Sequence, residues 1–337
     1  LIIRGSPNAC AGGSLFTRLS APGLLTDGWA FNSGARFIDV HDIRIAGRRD
    51  GITLASAVSN VNFMGVVVDS NALNGISFFG NQNIQMANSV VRNNLGNGLR
   101  VSGPSKVDAR NCVFWRNVSN SIQVTAGQLC LSNSAVVATG DRATIFELAV
   151  ASNVVGDFNC LLTESNAIVG HLQSGDLTGD HLGAWIGMTT QHVHSISVDP
   201  LFADAAAGDY HLLTEFSLGR YDPCAGYVTD SRTSPLIDAG SPSASFTNEP
   251  GQNGSRVDIG AFGNHPEASQ GRTTPWLVAG SLTQGGWVKG TTTLHWVAGN
   301  LATDALVRVD YTADGGVSWQ SLATNLASSE AYLWDST

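Results

Sequence analysis

The sequence predicts an all-β chain whose larger part is a parallel β-helix solenoid and whose C-terminal part is a small β-sandwich. Two observations predict the solenoid. The strand-like segments GITLASA, GISFFGN, GLRVSGP and SIQVTAG begin at Gly51, Gly75, Gly98 and Ser121, in steps of 24, 23 and 23 residues, and TIFELAV follows at Thr144 after another 23. Strand character at a fixed period of this length marks a stacked repeat. Two asparagine columns keep the same period: Asn71, Asn94 and Asn117 in one, Asn74, Asn97 and Asn120 in the other. If successive coils stack at about 4.8 Å, the spacing of neighbouring strands, these asparagines lie directly above one another. They can then bond amide to amide as a ladder. The second column precedes Gly75, Gly98 and Ser121, so a positive φ is expected at that turn.

The N-x-x-N-G-I/L turn within this repeat resembles the right-handed parallel β-helix, or pectate-lyase-like, superfamily, over roughly residues 1–262. The stretches VDPLFADAAAGDYHL from Val198, SPLIDAG from Ser234 and VDIGAFG from Val257 resemble the closing C-terminal coils of large secreted bacterial β-helix proteins, with Gly263 where an acidic residue is usual. The resemblance implies a β-helix over 1–264, with irregular coils at 1–50, regular coils at 51–152, loop-bearing coils at 153–197 and closing coils at 198–264. It also implies an extracellular or cell-surface location. HPEASQGRTTP, residues 265–275, reads as a linker. Residues 276–337 alternate as strands, and the YTADGGVSWQ hairpin around Asp314, Gly315, Gly316 and Trp319 resembles Ig-like or fibronectin-like modules. About 100 residues is usual for such a sandwich, so its last strands are expected beyond Thr337.

At the other end LIIRG reads as a strand, with any targeting segment expected upstream. The loop through Cys10, Gly12 and Gly13 to Asn32 departs from the repeat length. Arg48, Arg49 and Asp50 stand at the turn where later coils carry asparagine, as a cap or an exposed feature. Gly170 to Trp185 reads as a loop leaving the stack.

A net charge of -9 with only 18 Lys and Arg argues against a nucleic-acid partner. No apolar run is long enough to span a membrane. Of the five cysteines, Cys10, Cys112, Cys130, Cys160 and Cys224, none forms a CxxC pair or a zinc-like cluster with histidine. Cys112 and Cys160 each follow an asparagine, which puts them in one column two coils apart. That is about 10 Å, beyond disulfide reach.

Alternation sends Val61, Phe63, Ile84, Met86, Val107 and Ala109 inward and presents Asn60, Asn62, Asn83, Gln85, Lys106, Asp108 and Arg110 outward. In the resembling superfamily this face forms the saccharide groove, so Asn60, Asn62, Asn83 and Gln85 are candidate binding residues. Trp185 and Trp115 are candidate stacking platforms, or covers for the ends of the core. Candidate catalytic residues are Asp39 and His41 on one strand and Asp108 and Arg110 on another. Three coils, about 14 Å, separate the pairs, more than the roughly 9.5 Å an inverting glycosidase uses.

His192 and His194 in QHVHS are expected on one side of a strand as a ligand-like pair, and His181 and His211 are further candidates. No structural metal is expected, although Asp199, Asp204 and Asp209 could hold calcium; turn capping is their other reading. The expected function is that of a noncatalytic surface protein: an adhesin, glycan binder or scaffold, with self-assembly as one form. Its partners would be extracellular glycans or other surface proteins. The alternative is a polysaccharide lyase or glycoside hydrolase.

Overall fold

The protein is described here by a computed structural model covering residues 2–4, 17–19, 26–80, 82–251, 253–282, 290–328 and 331–337. Cys10, Gly12, Gly13 and most of the expected N-terminal loop lie outside the described residues. Three parallel sheets run the length of a solenoid. The first is 7-stranded, from Ile2–Arg4 through Arg36–His41, Ser59–Met64, Gln82–Ala87, Lys106–Arg110 and Gln128–Ser132 to Val154–Asp157. The second is also 7-stranded, from Thr17–Leu19 to Cys160–Glu164. The third is 8-stranded and begins at Trp29–Phe31; its parallel part ends at Ile168–Leu172, against which Leu177–Gly179 adds an antiparallel strand.

The register explains the period. Ile52 pairs with Ile76, and Ile76, Leu99 and Ile122 pair in turn, so equal apolar side chains stack inside the tube. Val61, Phe63, Ile84, Met86, Val107 and Ala109 are all buried in that core, as their alternation requires. The first asparagine column is fully buried. Each Oδ1 accepts from the coil before it: Asn71 N and Nδ2 donate to Asn94 at 3.0 and 2.8 Å, and Asn94 N and Nδ2 donate to Asn117 at 3.2 and 2.8 Å.

The second column runs the other way. Asn74 Nδ2 donates to Asp50 Oδ1 at 2.8 Å, Asn97 Nδ2 to Asn74 at 2.9 Å and Asn120 Nδ2 to Asn97 at 2.8 Å. Thr144 closes it by donating to Asn120 Oδ1 at 2.6 Å. Asp50 is thus the acceptor-only terminus of the second ladder, and Arg48 N caps the first by donating to Asn71 Oδ1 at 2.9 Å.

The glycines after the second column have a different cause from the one expected. Positive φ falls instead at Ser70, Asn93 and Arg116, just before the first column. Gly75 and Gly98 are needed for room: a Cβ on Gly75 would lie 2.6 Å from Val91 Cγ1 and 2.8 Å from Asn94 Nδ2, and one on Gly98 would lie 2.6 Å from Asn117 Nδ2.

The cysteine column also shifts by one. Val113, Ala135 and Cys160 share a register, whereas Cys112 N is bonded to Ser134 Oγ and Ser134 N to Asn159 Oδ1. Phe158, with φ 54, takes the turn place of Asn111 and Asn133, with φ 51 and 49. Cys112 therefore points into the tube and Cys160 out of it, into a second apolar cluster. Cys112, Cys130 and Cys160 are free thiols, and burial pushes Cys112 and Cys160 up to about 12.

Beyond Leu172 the described chain adds no further full parallel rung, only an isolated parallel bridge of Ile196 to Cys160. The stretch expected as a loop contains the helix Leu182–Thr189, whose Leu182, Trp185 and Ile186 cover the open end of the core. Trp185 stacks on Phe146 with centroids 5.6 Å apart.

Residues 198–264, expected as closing coils, form two short antiparallel hairpins, Phe202–Asp204 with Asp209–Leu212 and Arg220–Asp222 with Gly226–Val228, followed by turns. They lie along the outside of the second sheet. Val67, Val90, Val113, Ala135, Val137, Cys160 and Leu162 face outward there and would be wet without Tyr210, Leu212, Leu236, Ile237, Ile259 and Ala261 packed over them.

The presumed linker is also packed. Ala268, Ser269 and Gln270 are buried, and Ser269 Oγ donates to Leu212 O at 2.6 Å. The C-terminal residues form three two-stranded antiparallel sheets, Trp276–Ala279 with Trp296–Gly299, Thr291–Leu294 with Tyr332–Asp335, and Leu306–Tyr311 with Gln320–Ala327. This arrangement fits a sandwich-like module, and Trp276 and Val297 join it to the second apolar cluster.

Candidate functional site

The outward side of the first sheet carries the candidate site. Asp39, Asn62, Gln85, Asp108 and Cys130 are successive register partners, so they form one column along the solenoid. Phe37, Asn60, Asn83 and Lys106 stand beside them and, with Asp39, Asn62, Gln85 and Asp108, line an open groove of about 550 Å3.

Local backbone geometry positions the second column. Phe37, Asn60 and Asn83 have φ of 55, 55 and 56 inside their strands. Asn tolerates this left-handed conformation because its amide bonds locally; Asn83 Nδ2 donates to Asn60 Oδ1 at 3.0 Å. A phenylalanine there is a conformational outlier, and Phe37 holds its ring 70 % exposed at the groove.

The structure brings Asp39, Asn60, Asn62, Asn83, Gln85 and Asp108 together and leaves His41 and Arg110 outside the lining. Asp39 and Asp108 are three rungs apart, about 14 Å at strand spacing. Asp108 is tied to Arg110 in an ion pair. The arrangement presents amide donors and acceptors along a line with a carboxylate at each end. It does not set two carboxylates across one bond.

Trp185, read as a platform or as a cover for the end of the core, is 1 % exposed beneath the helix, where it packs on the core and cannot meet a ligand. Trp115 packs edge-on against Phe202 and Tyr210 at 5.6 and 6.0 Å, so it seats the hairpin.

His192 and His194 do not share a strand face. His192, with φ 62, is buried on Phe146, and burial lowers its pKa to about 4. His194 is exposed, and its Nδ1 lies 2.6 Å from Asp157 Oδ2. His181 caps the helix by accepting from Ala184 N at 3.2 Å. His211 is buried between Asp209, at 2.6 Å, and Glu267, at 3.7 Å.

Asp199, Asp204 and Asp209 accept from the backbone N–H groups of Leu201, Ala207 and His211, each within its own turn. Among the described residues no three His, Cys, Asp or Glu side chains are placed to hold a metal ion.

One cluster escaped the sequence reading. His171 Nδ1 lies 3.1 Å from Glu147 Oε2 and its Nε2 lies 3.0 Å from Asp176 Oδ1. The bonds to Asp176 and then to Glu147 raise its pKa, because both ring nitrogens can donate to carboxylates only in the imidazolium form. The signal was present: Arg100, Gln123, Glu147 and His171 are register partners on the outside of the third sheet, and they keep the repeat period in the sequence.

Residues 4–136 match the family model described as right handed beta helix region. No curated protein and no solved structure matches the chain. Among the described residues no helix is long and apolar enough to cross a membrane. The family match and the parallel stack together support a right-handed β-helix family for this region.

Proposed function

We propose that this chain is a noncatalytic, glycan-binding scaffold or adhesin of the cell surface, with the groove on the first sheet as its binding face. One observation carries the reading: Asn60, Asn62, Asn83 and Gln85 line the groove between Asp39 and Asp108. Amides both donate and accept, as sugar hydroxyls do, and the exposed ring of Phe37 offers an apolar face to a pyranose. Rungs spaced about 4.8 Å apart supply these groups at regular intervals along an extended chain. Hydrolysis of a glycosidic bond needs two carboxylates within about 9.5 Å, and the two at the groove ends are farther apart.

The test is a glycan array together with a polysaccharide depolymerisation assay on the same protein. Binding without product, weakened about tenfold in Asn62→Ala/Gln85→Ala by loss of two hydrogen-bonding groups, is the expected result. Product release that disappears in His41→Ala or Arg110→Ala would overturn it in favour of a lyase or hydrolase.

A further inference from the structure

A second hollow, of about 330 Å3, lies on the outside of the third sheet, a different sheet from the groove. Its lining includes Thr53, Ser77, Phe79 and Arg100. Thr53, Ser77 and Arg100 are direct register partners on three successive strands. Ile76 and Phe78 point into the core, so Ser77 points out. It is nevertheless 1 % exposed, and its Oγ has no hydrogen-bond partner. The Nε of Arg100, one rung on, is likewise buried without an acceptor.

The contrast with the other arginine of the hollow is informative. Arg49 is paired with Asp27 at 2.8 Å and faces Asp50 at 3.5 Å. Arg100 has no carboxylate partner among the described residues and lies over the Phe79 ring, 5.6 Å from its centroid. Buried polar groups are ordinarily satisfied, and each one left unmade carries a desolvation cost. Two adjacent unmet donors facing one hollow therefore point to an acceptor supplied from outside.

We infer that the third-sheet hollow binds a monoanionic carboxylate, such as that of an acidic sugar, through the guanidinium of Arg100 and the hydroxyl of Ser77. The planar guanidinium matches a carboxylate fork. Asp27 and Asp50 also line the hollow, and their charge disfavours a dianion such as phosphate. The ring of Phe79 gives an apolar neighbour for the carbon skeleton. This site does not depend on the groove of the first sheet.

The test is an NMR titration of the intact chain with sodium glucuronate, with glucose and inorganic phosphate as comparators, following Arg100 Nε–H and the Ser77 amide. Glucuronate is expected to shift both signals while glucose leaves them unmoved and phosphate binds more weakly. Arg100→Gln should weaken glucuronate by about tenfold or more, the scale of a hydrogen bond to a charged group. Arg100→Lys keeps the charge but not the fork and should fall between. Thermal melts of both variants confirm the fold. Equal responses to glucose and glucuronate, tighter binding of phosphate, or unchanged affinity in both variants would overturn the assignment.

Discussion

The regular coils and the segment that packs on their flank are held together by opposite means. Between residues 51 and 150 the fully buried asparagines of the first column are neutral amides repeated once per coil, and each is bonded to its copy in the neighbouring coil. Residues 198–272 rely on single, unrepeated contacts of buried carboxyl groups with backbone N–H groups. Asp258 Oδ1 accepts from Asp238 N at 2.8 Å, Glu249 Oε1 accepts from Asp258 N at 3.0 Å and Asn264 N at 2.7 Å, and Asp238 Oδ2 accepts from Arg272 N at 3.0 Å. The second oxygens of Asp238, Glu249 and Asp258 are buried without a hydrogen-bond partner. A repeat can satisfy its own buried polar groups by stacking. A segment without one must use carboxylates to gather backbone N–H groups from several turns, at the cost of burying charge.

The sharpest break is Asn94→Ala. It leaves the N and Nδ2 of Asn71 without the Oδ1 that accepts from both in a fully buried column, while Asn117 Oδ1 keeps only the backbone N–H of residue 94. At about 1–3 kcal/mol for each unsatisfied buried group, a loss of about 3 kcal/mol or more is expected in chemical denaturation. Asn97→Ala in the half-buried second ladder should cost about 1 kcal/mol, because water can reach the groups it leaves. Equal losses in the two columns would show that burial does not set their strength.

The flanking segment should respond to pH where the ladders do not. Burial raises Glu249 to about 7 and Asp238 to about 6, and burial with the neighbouring Glu249 and Asp238 raises Asp258 well above the usual carboxylate range. The folded segment thus binds protons that the unfolded chain has released, so the stability these carboxylates contribute is fully present below about pH 4, where the unfolded carboxyls are also protonated, and is lost as pH rises through 6 and 7. His192, lowered to about 4 by burial, acts in the opposite sense and removes stability from the solenoid end as pH falls below its unfolded value. A local probe separates the two. Hydrogen exchange at the amides of Asp238, Asp258 and Asn264 should quicken between pH 5 and pH 8 beyond its intrinsic pH dependence, by an amount on the order of 2 kcal/mol. Glu249→Gln keeps the acceptor oxygen and should flatten that slope. An unchanged slope would remove these carboxylates from the account.

The smallest effect sharpens the comparison at the ladder end. Asp50 only accepts from Asn74, so Asp50→Asn should change stability by less than about 1 kcal/mol. Asn97→Asp loses the donor that reaches Asn74 and should cost more than Asp50→Asn. The order of the two midpoints in urea checks it.

The groove was largely legible in the sequence because the period that stacks the coils also stacks their outward residues: Asn60, Asn62, Asn83 and Gln85 could be placed on one face from alternation alone. The Glu147, His171 and Asp176 cluster shared that period but was missed, since its loop partner Asp176 lies outside the repeat. For Trp185 the sequence left two places open, because an aromatic in an apparent loop and one capping a core differ only in what lies beneath them.

The sequence by itself determined the all-β solenoid, its rung spacing, its two asparagine ladders and the run of amides along the first sheet's outward face. Each depends on contacts between residues one period apart, and a repeat writes those contacts directly into the chain. Only the tertiary structure decided that residues 198–264 lie along the second sheet instead of extending it, that a helix closes the core, and that Cys112 and Cys160 face opposite ways. Those outcomes depend on which apolar surface is left uncovered once the coils have stacked. That surface exists only in the folded tube.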